Sequence, residues 1–252
     1  MKLLLDLGNT RLKWLVVDGA TPLATGATAW TAPFITELQE AWAAWPGTRQ
    51  VIAASVVDDA REQAIAALVS RRFGVAVDWV RSPAAGAGVR SAYAEPQRLG
   101  VDRFLTMVAA HADGLGACVL VGVGTALTLD ALAADGRHLG GLIAPGPHLM
   151  RQSLASATAR VRTELPGHIS AWADNTADAV ASGCWGACAG LVERFVRQVA
   201  EPLGSTPLVL VGGGDAAILR ELLPMPTRLY VDGVLRGLAT WSGAPIPAAA
   251  SH

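Results

Sequence analysis

The chain has little charge, few cysteines and almost no tyrosine. Charged residues make up 16% of its 252 positions, and 20 Lys plus Arg against 21 Asp plus Glu leave a formal net charge of −1. Such a surface lacks the basic stripe that displaces phosphate counterions, which argues against bulk nucleic-acid binding. The three cysteines, Cys118, Cys184 and Cys188, are odd in number and follow no framework spacing, so they read as reduced thiols of a cytosolic protein. Cys184 and Cys188 share one helical face with no second Cys/His pair nearby, and His111, His138, His148 and His168 are scattered, so no metal-ligand spacing emerges. With two Tyr and four Phe, the aromatic signal is mostly eight dispersed tryptophans, which suit core and interface filling better than base stacking. Long apolar runs are also missing. The longest uncharged one, Leu115 to Leu129, is broken by Gly116, Gly122 and Gly124 and is too short to span a bilayer. Asp6 interrupts the opening apolar stretch, so no secretory leader is expected. No G-x-x-x-x-G-K-[ST] loop and no dinucleotide fingerprint occurs, and Ser55 has no G-x-S-x-G elbow around it.

Hydrophobic residues are plentiful at 52%, enough for one large core or two modest ones. The most informative stretch is the first. Lys2 to Leu5 leads into Asp6-Leu7-Gly8-Asn9-Thr10-Arg11-Leu12-Lys13, and apolar residues resume at Trp14 to Val17. The pattern is strand, polar turn, strand. A hairpin turn needs one or two special residues, and this one carries a carboxylate, a glycine, an amide, a hydroxyl and a lysine. Asp6 suits a hydrated Mg²⁺, Gly8 a close backbone approach to phosphate, and Asn9, Thr10 and Lys13 donation to phosphate oxygens. An ordinary polar hairpin is the plain alternative. A second tip, Gly122-Val123-Gly124-Thr125, follows another apolar strand, and Gly212-Gly213-Gly214 sits between the strand Leu208 to Val211 and a helix. Strand, glycines, helix presents backbone N–H groups to a nucleotide, although a simple left-handed turn would use the same residues.

Along the chain the two halves repeat one theme. The first runs strand 2–6, strand 12–18, strand 23–29, helix 34–45, strand 50–55, helix 58–72, strand 75–80, then a Gly/Ala/Pro-rich stretch and a helix from Pro96 to Ala112. The second runs strands 117–122, 125–132 and 138–143, helices 146–157 and 176–200, strand 207–212, helix 214–223, strand 228–231 and helix 232–242. This predicts an α/β fold of two mixed five-stranded sheets flanked by helices. The expected domains are 1–114 and 115–242, with a loose tail at 243–252.

The order resembles the actin, sugar-kinase and chaperone-ATPase superfamily, with duplicated ribonuclease-H-like domains and a nucleotide cleft between them. Within it the motifs are similar to those of the type III pantothenate kinases. Asp6 to Lys13 matches that family's first phosphate motif, Gly100-Val101-Asp102-Arg103 its G-x-D-R motif, and Gly124-Thr125-Ala126-Leu127-Thr128-Leu129-Asp130 its second phosphate motif. Gly140-Gly141-Leu142-Ile143-Ala144-Pro145-Gly146, Asn175-Thr176 and Ser182-Gly183 match further segments. The resemblance implies ATP-dependent phosphorylation of pantothenate, the first step toward coenzyme A, in a cytoplasmic homodimer. It implies Asp102 as catalytic base and Tyr93, Gly100, Val101, Asp102, Arg103 and Thr176 as pantothenate contacts. Asp6, Leu7, Gly8, Asn9, Thr10, Arg11, Leu12, Lys13 and Thr125 would bind ATP, with Asp6 toward Mg²⁺. For an isolated Asp-Arg pair, a surface ion pair at a helix start is the plain alternative.

One departure stands out. The family commonly has an aspartate two residues before the glycine of the second phosphate motif, serving K⁺ or NH₄⁺, and here that position is Gly122. Either backbone carbonyls and water hold the cation or the dependence on it is weaker. Asp130 ends its strand facing either the phosphate region or solvent, and Asp215 is placed to cap the next helix. The apolar helix around Ala181 to Phe195 suits either a subunit contact or a buried helix of its own domain. Two other functions share these motifs: a different small-molecule kinase, and a non-catalytic nucleotide-binding transcriptional accessory protein.

Overall fold

The computed structural model describes residues 1–19, 21–31, 33–157 and 167–243. They form two compact units, one of Met1–Gly114 with the segment from Asp232, the other of Leu115–Val231.

In the first unit, β1 (Lys2–Leu7), β2 (Arg11–Asp18) and β3 (Thr21–Ala29) form an antiparallel meander. The chain crosses over through α1 (Phe34–Trp42) to β4 (Gln50–Ser55), and through α2 (Asp59–Phe73) to β5 (Val77–Val80). Both pairings β1–β4 and β4–β5 are parallel, and the sheet order is β3-β2-β1-β4-β5. The sequence explains the centre of this sheet. Leu3, Leu4 and Leu5 are consecutive and all buried, as a strand covered on both faces requires. Asp58 caps α2, its Oδ1 accepting from the Arg61 N–H at 2.9 Å, and left-handed Gly74 ends it.

The Gly/Ala/Pro-rich stretch after β5 contains a two-rung hairpin, β6 (Ala85–Gly86) with β7 (Val89–Arg90). The helix expected from Pro96 to Ala112 is in fact two pieces. Pro96–Arg98 is a single 3₁₀ turn, and α3 (Val101–Ala112) starts afresh after Gly100. Between them Leu99 is extended, its carbonyl accepting from the buried Ser82 hydroxyl at 2.8 Å. The break makes Asp102 the second residue of a helix rather than a mid-helix residue.

The second unit repeats the plan. β8 (Cys118–Val123), β9 (Ala126–Leu132) and β10 (His138–Pro145) are antiparallel, and β11 (Leu208–Gly212) and β12 (Thr227–Leu229) extend the sheet in parallel. The order, β10-β9-β8-β11-β12, mirrors the first sheet. The helices are α4 (Pro147–Ala157), α5 (Thr176–Leu203) and α6 (Ala216–Leu222). The apolar stripe of α5, with Trp185, Cys188, Val192, Phe195 and Val196, is buried in this unit's own core against Val121, Leu129 and Val211. Burial pushes the Cys188 thiol up to about 11 and that of Cys118 to about 12, so both are inert packing groups. Among the described residues no helix is long and apolar enough to cross a membrane.

The last helix, α7 (Gly233–Trp241), belongs to the first unit, packed on α3. Gly237 lies so close to the Leu105 backbone that a Cβ has no room, and Arg236 Nη2 reaches both carboxylate oxygens of Asp113 at 2.7 Å. Sequence order alone groups this helix with the second domain, 115–242. Of the expected tail 243–252, residues 244–252 lie outside the described residues.

Candidate active site

The first polar tip is built by register. Leu7 pairs with Leu12 and both are fully buried, so the core holds the hairpin up to its last rung. Gly8 N–H donates to the Arg11 carbonyl at 3.2 Å, which leaves Asn9 and Thr10 exposed at the turn. A Cβ on Gly8 would stand 3.3 Å from that carbonyl oxygen, tighter than most neighbours tolerate. From the end of β3, the indole Nε1–H of Trp30 donates to the Gly8 carbonyl at 2.6 Å.

One rung below, Asp6 faces Lys13 across the strands. Lys13 Nζ also reaches Asp232 Oδ1 at 2.9 Å, from the residue that precedes α7. Asp6 is surrounded by protein while retaining an opening to the surface. Desolvation is the largest influence on it and lifts its pKa from 3.8 to about 7. Lys13 pulls the value down, and the carboxylates of Asp102 and Asp232 push it up. Asp6, Lys13, Asp102 and Asp232 therefore share one electrostatic neighbourhood. Three carboxylates around one lysine beside a polar turn suit a divalent cation.

Asp102 sits in the first turn of α3, where the helix dipole favours a carboxylate. Its Oδ1 occupies the space in which a side chain on Gly100 would begin. Val101 is buried and anchors the helix start. Arg103, next along, is only 6% exposed, its Nη1 donating to the Tyr93 hydroxyl at 3.1 Å while its guanidinium lies over the Tyr93 ring. The structure thus brings Tyr93, Gly100, Asp102 and Arg103 together, and connects Asp102 electrostatically with the Asp6–Lys13 tip.

Thr125 and Thr176 belong to the second unit. Thr125 is exposed at the β8–β9 tip, and the tip is gripped from both sides. Gly146 N–H donates to the Thr125 carbonyl at 2.9 Å, with no room for a Cβ against Gly124. On the other side Gly213, at φ +103°, packs on the Val123 backbone, a position that only glycine fills without strain. His148 Nε2 and Asp215 Oδ1, 3.3 Å apart, link these flanking turns. Asp215 makes no side-chain cap on α6, contrary to expectation, because its carboxylate faces His148. Asp130 faces neither solvent nor a phosphate tip. It is buried 2.9 Å from the Nε2 of buried His138. Thr176 opens α5 beside a reciprocal cap, in which Asn175 Oδ1 accepts from Asp178 N–H and Asn175 Nδ2 donates to Asp178 Oδ2. It lines a largely apolar open groove of about 960 Å³ with Pro145, Met150 and Val180.

Among the described residues no three His, Cys, Asp or Glu side chains form a self-contained metal site. Asp6 fits an Mg²⁺ that arrives on a nucleotide's phosphates. A carboxylate-held monovalent cation does not fit at residue 122. Gly122 has no side chain, and Thr128 Oγ1, from the paired rung, stands 2.6 Å from where its Cβ would be. The sequence reads Trp30 as core or interface filler and Asp215 as a helix cap and gives Asp232 no role, since the contacts each makes are to residues distant in sequence.

Residues 2–198 match the family model for type III pantothenate kinase. The type III pantothenate kinase of Aromatoleum aromaticum is 41% identical over 239 residues, covering 95% of this chain and 96% of that one. Two solved structures share the two-domain fold at low identity. One, from Campylobacter jejuni and described as a Baf-family transcriptional activator, has a TM-score of 0.60 at 18% identity over 96% of this chain and 97% of its own. The other, the activator of the 2-hydroxyisocaproyl-CoA dehydratase from Clostridium difficile with bound ADPNP, has a TM-score of 0.51 at 14% identity over 95% and 93%. The chain, matched along nearly its whole length, belongs to the type III pantothenate kinase family.

Proposed function

We propose that this protein transfers the γ-phosphoryl group of ATP to the primary alcohol of pantothenate, giving 4′-phosphopantothenate for coenzyme A synthesis. The observation that carries this reading is the neighbourhood of Asp6, Lys13 and Asp102, where a phosphate-type tip and a helix-borne carboxylate feel one another's charge. Residues Asp6 to Lys13 hold ATP, with turn amides and the Lys13 ammonium on its phosphates and Asp6 toward Mg²⁺, which neutralises charge on the transferring group. Asp102 orients the hydroxyl and takes its proton. The transition state of phosphoryl transfer is loose and the proton leaves late, so Asp102 need not be strongly basic. Arg103 and Tyr93 form one recognition element for the pantothenate carboxylate, with Gly100 and Val101 supplying backbone and Thr176 a hydroxyl. Thr125 donates to ATP phosphate.

The active form in this reading is a cytoplasmic homodimer with the pantothenate pocket near the subunit contact. Three buried thiols without a disulfide suit a reducing compartment. Exposed Ile143 and Trp172 in the second unit supply apolar surface for a subunit contact. Dependence on K⁺ or NH₄⁺ is weak, because Gly122 offers no carboxylate.

A coupled ADP-release assay with ATP, Mg²⁺ and pantothenate tests the reading, with the product identified by mass. Pantothenate-dependent ADP and 4′-phosphopantothenate are the expected results. ATP binding without pantothenate-dependent turnover would overturn it in favour of another acceptor or a binding-only role.

A further inference from the structure

Trp30 lies outside every motif, yet its side chain reaches the first tip. Its indole N–H donates to the Gly8 carbonyl at 2.6 Å, and its backbone N–H points to the Thr10 carbonyl at a longer 3.5 Å. Gly8 and Thr10 of the turn are thus both tied to the residue that follows β3. Trp30 is itself held on two sides. Phe34 meets it edge-on with ring centroids 5.3 Å apart, and the Arg61 guanidinium lies 5.4 Å over its ring while pairing with Asp58.

The consequence follows from peptide geometry. The Gly8 carbonyl and the Asn9 N–H belong to one planar trans peptide, so they point in opposite directions. Fixing the carbonyl on Trp30 aims the Asn9 N–H away from Trp30, at the exposed side of the turn. Gly8 is needed for close packing at the tip, and it is also the residue type with the least steric resistance to rotating that peptide. A rotated peptide would turn a carbonyl oxygen, not a donor, toward a bound phosphate.

We infer that Trp30 is a positioning residue for ATP: its indole N–H holds the Gly8–Asn9 peptide with the amide facing the phosphates. The inference rests on Asp6–Lys13 being the ATP tip. Four proteins test it: wild type, K13A, W30F, and a variant in which Trp30 is replaced by benzothienylalanine, which keeps the bicyclic shape and lacks the N–H. The readouts are KM for ATP, KM for pantothenate, kcat and the dissociation constant for ADP. Loss of the N–H is expected to raise the KM for ATP and weaken ADP by about tenfold, the scale of one hydrogen bond, in both W30F and the isostere. The KM for pantothenate should stay within about twofold, a split that general loosening of the fold would not give. Weak ATP binding by K13A with wild-type binding by the isostere would overturn the role of Trp30 alone. Wild-type binding by both would overturn the assignment of the tip as well.

Discussion

Asp102 Oδ1 lies 2.6 Å from the point where a side chain on Gly100 would place its first carbon. The carboxylate is folded back over its own helix cap, into space that exists only because residue 100 is glycine. Gly100 is at φ −53° and ψ 128°, a conformation alanine adopts without strain. Gly100→Ala should therefore leave the thermal midpoint nearly unchanged, or slightly raised by the smaller entropy of the unfolded chain. It should lower kcat by roughly 10- to 100-fold by displacing the carboxylate, since misplacement on the ångström scale costs about that much. Parallel melting and steady-state measurements check this. A normal kcat would mean that Asp102 takes another rotamer during turnover.

Asp102→Asn separates the proton-accepting role from the electrostatic one. Turnover should fall by roughly 10²- to 10⁴-fold, the usual contribution of a positioned base. Because the Asp102 charge raises the pKa of Asp6, the substitution should also bring Asp6 down from about 7. Mg²⁺-dependent ATP binding at pH 6 should then be as tight as in wild type or tighter. Calorimetry at pH 6 and 8 reads this directly, and weaker binding at both values would argue against a shared neighbourhood.

Asp6 carries a cost in the absence of ligand. Its folded pKa of about 7 lies above its ordinary 3.8, so between these values the folded chain keeps a proton that the unfolded chain has released. Stability conferred by that proton is complete below about pH 4, declines as pH rises and is gone above about pH 7. The difference caps the cost at roughly 4 kcal/mol, and about 1–3 kcal/mol is expected after local relaxation. Asp6→Asn removes the titration. Its ligand-free melting temperature should exceed that of wild type by a margin that widens from pH 4 to pH 7.5, while Mg²⁺–ATP binding is lost. A constant margin across the range would show that Asp6 does not titrate there.

The sheets and both polar tips were legible because their signals are local. Buried strands show as apolar runs such as Lys2 to Leu5, and tips show as glycine beside amide and hydroxyl groups. What escaped depends on residues far apart in sequence. Helix signals at Pro96 run on into Val101, and only the Ser82 bond to the Leu99 carbonyl shows why the chain stays extended between them. The placement of α7 rests on Arg236 meeting Asp113 across 123 positions. His148 and Asp215, or Asp130 and His138, are pairs that no spacing rule connects. Trp30 was invisible as a functional residue because its contact is to a carbonyl, which carries no side-chain identity.

Gly122 offers a last test of how far local sequence decides a cofactor requirement. Its rung pairs it with Thr128, whose hydroxyl already occupies the direction in which a side chain would grow. The two residues therefore act as a unit, a missing side chain facing a hydroxyl. Activity should change by less than about twofold when K⁺ or NH₄⁺ is titrated against a bulky organic cation at constant ionic strength, since no carboxylate stands there to exchange a cation's hydration shell. Gly122→Asp alone should reduce stability, because its Cβ would crowd the Thr128 hydroxyl on the central strand β8. Gly122→Asp with Thr128→Ala relieves the crowding, should recover most of that stability, and should create a measurable response to K⁺. A strong K⁺ requirement in the unaltered protein would show that backbone carbonyls and water hold the ion without any carboxylate at this rung.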